Sequence, residues 1–274
     1  MELTKSRHGG EAPFHTPSMV FYTELLKALV AFAYYGYQFP RLEYTGLENL
    51  TWRSCSVFAV PALLYAVQNN LNYVALKSID PPTYQLWGCS KLIWAGVFFR
   101  LILGRTLTLR KWTALGLLAA GMAITTLHPA EDEQSSRAAL GGIMLVLCTS
   151  SLSGLSSIFN EWLIKFQDPK APLMFKNGML YAFGVLMCIG SWKPSAPLGD
   201  PPLFLALVLV QACAGLCVSF VLKYCDSLVK GFSTSGAVIL ATALSAGLFN
   251  FGLRAPFLIG TSVVCGAFYL YFGV

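Results

Sequence analysis

Nine apolar stretches, most of them about 18–25 residues long and divided by short polar turns, decide what this chain can fold into. They lie near 18–38, 55–78, 82–103, 111–128, 138–164, 173–192, 202–222, 229–250 and 254–272. In hydrocarbon every backbone N–H and C=O must be bonded within the segment, so each stretch is predicted to cross a bilayer as a helix. Only 12% of the residues are charged, against about 25% in soluble domains. The chain is therefore an all-α membrane protein. Its short loops leave no room for a separate domain, and its polar tail, 1–17, lacks the apolar core of a signal peptide.

Several functions are excluded at once. The net charge of +6 is spread out with no basic tract, so nucleic acid is not an expected partner. The eight cysteines fall in or beside apolar segments. Cys213 and Cys217 are one helical turn apart, but no His, Asp or Glu stands near them, and they read as small packing residues. His8, His15 and His128 complete no nucleophile–base pair, and there is no Gly-rich phosphate loop. Neither an enzyme nor a bound metal or cofactor is expected.

Lys and Arg in the loops set the orientation. Arg41, Arg53, Arg105, Arg110, Lys111, Lys165, Lys170, Lys176, Lys223 and Lys230 fall on one side. Lys77, Arg137, Lys193 and Arg254, with Lys5 and Arg7 of the tail, fall on the other. Ten against six places the first side, and the C-terminus, in the cytosol; the N-terminus and the acidic 131–133 then face the lumen or exterior. "LRKWTALG" at 109–116 recurs as "LRAPFLIG" at 253–260, and Asp80 and Asp226 each precede a helix. The offset of about 144–146 residues implies two repeats, a four-helix one at 18–128 and a five-helix one at 138–274, joined by the acidic loop 129–137. Halves with odd helix counts insert in opposite senses, the arrangement of inverted-repeat transporters. On this reading the first repeat lacks its opening helix.

Polar residues inside the spans point to the site. Lys91 lies near the middle of 82–103, where a charge costs about 2.5–3.5 kcal/mol on insertion scales. With no carboxylate within a turn, it reads as lining a polar cavity that takes an anion, phosphate above all. Glu24 with Lys27, and Glu161 with Lys165, stand at pairing distance on one helix face and read as structural or gating ion pairs. Gln68, Asn69, Asn70 and Asn72 crowd one turn; such a cluster serves equally as interhelical glue. Tyr65, Tyr84 and Tyr181 offer faces for a base, while Asn69, Asn177, Gln68 and Ser153 offer hydrogen bonds to its edges. The residues alone thus reach a nucleotide-like or phosphorylated anion.

"YAVQNNLNYVAL", "TYQLWGCSKL", "SGLSSIFNEWLIK", "KNGMLYAFGV" and "KYCDSLVKGFSTSGAVIL" resemble, in order and spacing, the Golgi nucleotide-sugar transporters, chiefly the CMP-sialic acid and UDP-galactose group. The resemblance runs from about residue 17 to 272. It implies a ten-helix inverted-repeat bundle, here lacking its first helix, in the Golgi membrane. Such a bundle exchanges a cytosolic nucleotide sugar for a lumenal nucleoside monophosphate without a cofactor. By position, Lys91 and Lys230 match the family's phosphate-holding lysines. Tyr65, Gln68, Asn69 and Tyr84 match its nucleoside contacts, and Ser153 and Gly154 match small residues beside the base. Asn177 and Tyr181 match base and ribose contacts, and Ser219 a cavity hydroxyl. Gly88 stands where the sialic acid transporter has an aromatic residue, so the sugar is left open, as is self-association. The alternatives are a same-fold carrier of another anionic metabolite and a non-transporting scaffold.

Overall fold

The computed structural model describes residues 16–48, 51–79, 81–125, 136–190, 192, 200–249 and 255–273. The tail to residue 15, Asp80, the acidic loop, Arg254 and the side chain of Asn69 lie outside them. The described residues form α-helices and no strand: α1 (Thr16–Gln38), α2 (Trp52–Val57), α3 (Ala59–Ser78), α4 (Pro81–Gly88), α5 (Lys91–Leu103), α6 (Leu109–Thr125), α7 (Ser136–Lys165), α8 (Leu173–Ile189), α9 (Pro201–Tyr224), α10 (Ser227–Phe249) and α11 (Ala255–Phe272). These helices fall on all nine apolar stretches. Among the described residues, five windows are long and apolar enough to cross a membrane by length and composition: 86–103, 140–165, 201–224, 227–244 and 255–272.

Two of the stretches differ from uninterrupted helices. The stretch 55–78 is divided at Phe58, whose N–H reaches back to Cys55. Pro61 explains the division, because a proline ring clashes with the carbonyl four residues before it, here that of Val57, the last residue of α2. The stretch 82–103 is divided at Cys89 and Ser90, immediately before Lys91.

The chain forms two compact units, residues 1–66 with 163–224, and residues 67–162 with 225–274. Each draws on both sequence repeats. In the first unit α1 packs along α8, with α9 beside it, around Ala28, Ala31 and Tyr181. Gly178 leaves room for the Phe32 ring, and Gly215 for the Lys27 stem.

In the second unit α6 packs along α11, the last helix of each repeat. Leu115, Leu118, Ile158, Phe232 and Val264 form the core beside them. The close approach is made at two glycines. A Cβ on Gly121 would stand 2.7 Å from Val264 Cγ2, and one on Gly260 would stand 2.6 Å from the Gly121 carbonyl oxygen. Gly116, the residue that the repeat aligns with Gly260, has nothing within 4 Å.

The two positions therefore differ in what they tolerate. Gly121→Leu should destabilise by about 1–3 kcal/mol, the cost of overpacking against a backbone that cannot yield. Gly116→Ala should be neutral or stabilising by up to about 1 kcal/mol, since alanine is the better helix former. Thermal unfolding of both variants in detergent measures the contrast.

Candidate functional site

The interruption between α4 and α5 shapes the centre of the second unit. Through "GCS" at 88–90 the backbone leaves the α pattern for bonds three residues apart. Ser90 N–H donates to Trp87 O at 3.1 Å, Leu92 N–H to Cys89 O at 3.2 Å and Ile93 N–H to Ser90 O at 3.0 Å. Small and weakly helix-forming residues permit this tighter turn. Lys91 is the first residue of α5, and its side chain opens onto a cavity of about 250 Å³.

Four of the site residues expected from sequence line that cavity together: Gln68, Tyr84, Lys91 and Ser153. Tyr84 Oη donates to Asn72 Oδ1 at 2.8 Å, which holds the ring against the wall. Sequence reasoning passed over the hydroxyls that complete the lining, Thr149 and Ser150 on α7 and Thr234 and Ser235 on α10. Their signal is present as hydroxyls clustered at helical spacing with Ser153. Thr149 donates to Val146 O, and Thr234 and Ser235 to Gly231 O. With their protons used by the backbone, these oxygens present acceptor lone pairs.

Lys230 stands at the end of the first turn of α10, where its Nζ reaches Ser157 Oγ at 3.3 Å. Neither Lys91 nor Lys230 has a carboxylate partner among the described residues, and the two ammonium groups lie near enough to repel each other. Lys91 is exposed and Lys230 half-buried, and two like charges without a carboxylate among the described residues make a place that favours an anion. No group of three or more His, Cys, Asp or Glu side chains is positioned to hold a metal among the described residues. Gly154 has a packing role: a Cβ there would stand 2.9 Å from the backbone nitrogen of Ala95, so the glycine lets α5 approach α7.

Most of the remaining expected residues lie in the first unit, and Glu161 lies in the second. Tyr65 is exposed on α3. Lys27 Nζ pairs with Glu24 Oε1 at 2.6 Å and sits 4.4 Å above the centre of the Tyr181 ring. That ring's hydroxyl shares a 3.0 Å hydrogen bond with Ser219 Oγ. Ion pair, ring and hydroxyl thus form one buried polar chain, favourable where water is scarce. Lys165 lies at the end of α7. The Glu161 carboxylate is fully buried and accepts from the Ser227 backbone N–H at 2.7 Å, within the second unit.

Asn177 completes the first unit's polar set. It is fully buried, and neither its Oδ1 nor its Nδ2 has a hydrogen-bond partner among the described residues. A buried amide left without partners costs about 1–3 kcal/mol per unsatisfied group.

A family model described as nucleotide-sugar transporter matches residues 1–272. The chain is 30% identical to CMP-sialic acid transporter 2 of Oryza sativa subsp. indica, over 97% of this chain and 77% of that protein. It is 28% identical to CMP-sialic acid transporter 1 of Arabidopsis thaliana, over 98% and 84%. It is 33% identical to the UDP-galactose translocator of Mus musculus, over 78% and 57%. A solved crystal structure matches the fold with a TM-score of 0.72 at 16% identity, covering 99% of this chain and 91% of the other.

Asn177→Leu, nearly isosteric and free of polar atoms, should leave the empty protein as stable or more stable by about 1–2 kcal/mol. Thermal unfolding without ligand tests this; a marked loss of stability would mean that the amide has a structural partner.

Proposed function

The chain belongs to the nucleotide-sugar transporter family, and we propose that it carries a cytosolic nucleotide sugar into the Golgi lumen in exchange for a nucleoside monophosphate. The observation that carries this reading is the pair Lys91 and Lys230, two cations that repel each other and have no carboxylate partner among the described residues. Their natural complement is phosphate, which lysine binds as a point charge. Tyr84 and Gln68 beside Lys91 supply a ring and an amide for the nucleoside. The acceptor hydroxyls of α7 and α10 suit the donors of a sugar or an exocyclic amine. Tyr65, Asn69, Asn177, Tyr181 and Ser219 belong to the same recognition by their resemblance to the family's contacts. The unpaired amide of Asn177 supports this, since a base or ribose edge would supply its missing partners.

Exchange follows from the charges. An empty carrier that turned from one face to the other would take two uncompensated ammonium groups through a poorly hydrated state. A nucleotide bound on each passage neutralises them, so each turnover is favoured only when loaded. The CMP-sialic acid and UDP-galactose carriers among the relatives make a CMP- or UDP-linked sugar the first substrates to try. The cytosolic C-terminus and lumenal N-terminus read from the loop charges belong to the same proposal.

Reconstituted protein should take up a labelled CMP- or UDP-sugar only into proteoliposomes preloaded with a nucleoside monophosphate. Lys91→Ala should abolish that exchange. Uptake that ignores the preloaded nucleotide would overturn the exchange and leave a carrier that works without a counter-substrate. No uptake and no ligand-induced thermal shift, from folded protein, would favour a non-transporting scaffold.

A further inference from the structure

Lys230 reaches its position through the first turn of α10, and that turn is held by one face of α7. Ser157 and Glu161 stand one helical turn apart on α7. The buried Glu161 carboxylate accepts the Ser227 backbone N–H at 2.7 Å, and Ser227 Oγ donates to the Ser157 carbonyl at 3.0 Å. Ser157 Oγ in turn meets Lys230 Nζ at 3.3 Å. Asp226 Oδ1 accepts the Val229 N–H at 2.8 Å, an ordinary N-cap within the same turn. The Glu161 contact is of another kind, because it ties that turn to a different helix 66 residues away in the chain.

A fully buried carboxylate is costly unless hydrogen bonds compensate it. Here it satisfies an orphan N–H and meets the positive end of the α10 dipole. Both effects would also be supplied by a local cap, which Asp226 already is. What Glu161 adds is registration of α10 on α7. With that register set, Ser157 holds the Lys230 ammonium, and a shift of about 1 Å in such a charge is enough to weaken its contact with a ligand.

We propose that Glu161, with Ser157, is a positioning latch for Lys230: it fixes the first turn of α10 so that the lysine meets the substrate's phosphate. The inference rests on the reading of Lys230 as a phosphate-binding lysine. Neither Glu161 nor Ser157 touches the ligand in this scheme.

The test compares binding of CMP with cytidine, and of UMP with uridine, to the purified full chain carrying Glu161→Ala, Glu161→Gln, Ser157→Ala or Lys230→Ala. A positioning role predicts that Glu161→Ala loses about tenfold in nucleotide affinity while the phosphate-free nucleoside binds as before. Glu161→Gln, which keeps an acceptor oxygen for the Ser227 N–H, should recover most of the loss. In the Lys230→Ala background Glu161→Ala should then have no further effect, the signature of two groups acting through one contact. Equal losses for nucleotide and nucleoside, or undiminished losses without Lys230, would reduce Glu161 to a general structural support and overturn the inference. Should Glu161→Ala not fold, Ser157→Ala, which removes the hydroxyl that meets Lys230 Nζ, carries the same comparison. A Lys230→Ala protein that still distinguishes CMP from cytidine as the parent does would overturn the reading of Lys230 itself. A loss in Lys230→Ala with none in any latch variant would overturn only the latch.

Discussion

Hydrocarbon accepts no unpaired backbone polar group, and that constraint governs where this chain may depart from a helix. The interruption at Cys89–Ser90 keeps its N–H groups bonded by tightening to three-residue spacing. It falls where the backbone borders a cavity. Lys91 follows directly, so one local irregularity sets both the place of the cation and the shape of the space it faces. The same rule explains the glycines. With little hydrophobic drive between helices in a membrane, close backbone contact supplies the attraction, as at Gly121 with Gly260 and at Gly154 with α5.

The two units handle charge in different ways. In the first, Lys27 is compensated twice, by the Glu24 carboxylate and by the face of Tyr181. In the second, Lys230 meets a hydroxyl and Lys91 a cavity, and neither meets a carboxylate among the described residues. A compensated cation rigidifies the scaffold, while an uncompensated one keeps binding energy in reserve for a ligand. A charge count treats all of these lysines alike; their partners separate them.

Much of this was legible in the sequence for one reason: the interactions were local or the residues conspicuous. Helix placement came from apolar length, and Glu24 with Lys27 stand three residues apart on a helix face. Lys91 stood out because no carboxylate lies within a turn of it. What was not legible depends on chain segments far apart. Glu161 stands four residues from Lys165 in sequence, yet it takes a backbone N–H 66 residues on. Lys176 counted as a loop charge, yet it is 2% exposed and its Nζ donates to the Ile164 carbonyl at 2.7 Å, closing the end of α7. Gly154 matched a position beside the base, while its missing Cβ serves a neighbouring helix. The hydroxyls lining the cavity were overlooked because serine and threonine are frequent in membrane helices and only the packing shows which ones face inward.

The interleaving of the two units carries a consequence for biosynthesis. Each unit contains an early and a late segment of the chain, and neither is complete until translation has passed residue 200. From the end of α6 at Thr125 to the start of α11 at Ala255 there are about 130 residues. At 5–20 residues per second, that is a wait on the order of ten seconds. Throughout it the Gly121 face of α6 lies in the membrane without the helix it was shaped to meet. Insertion and assembly are thus separated in time, and the unmatched glycine face is the surface most in need of protection until the ribosome finishes.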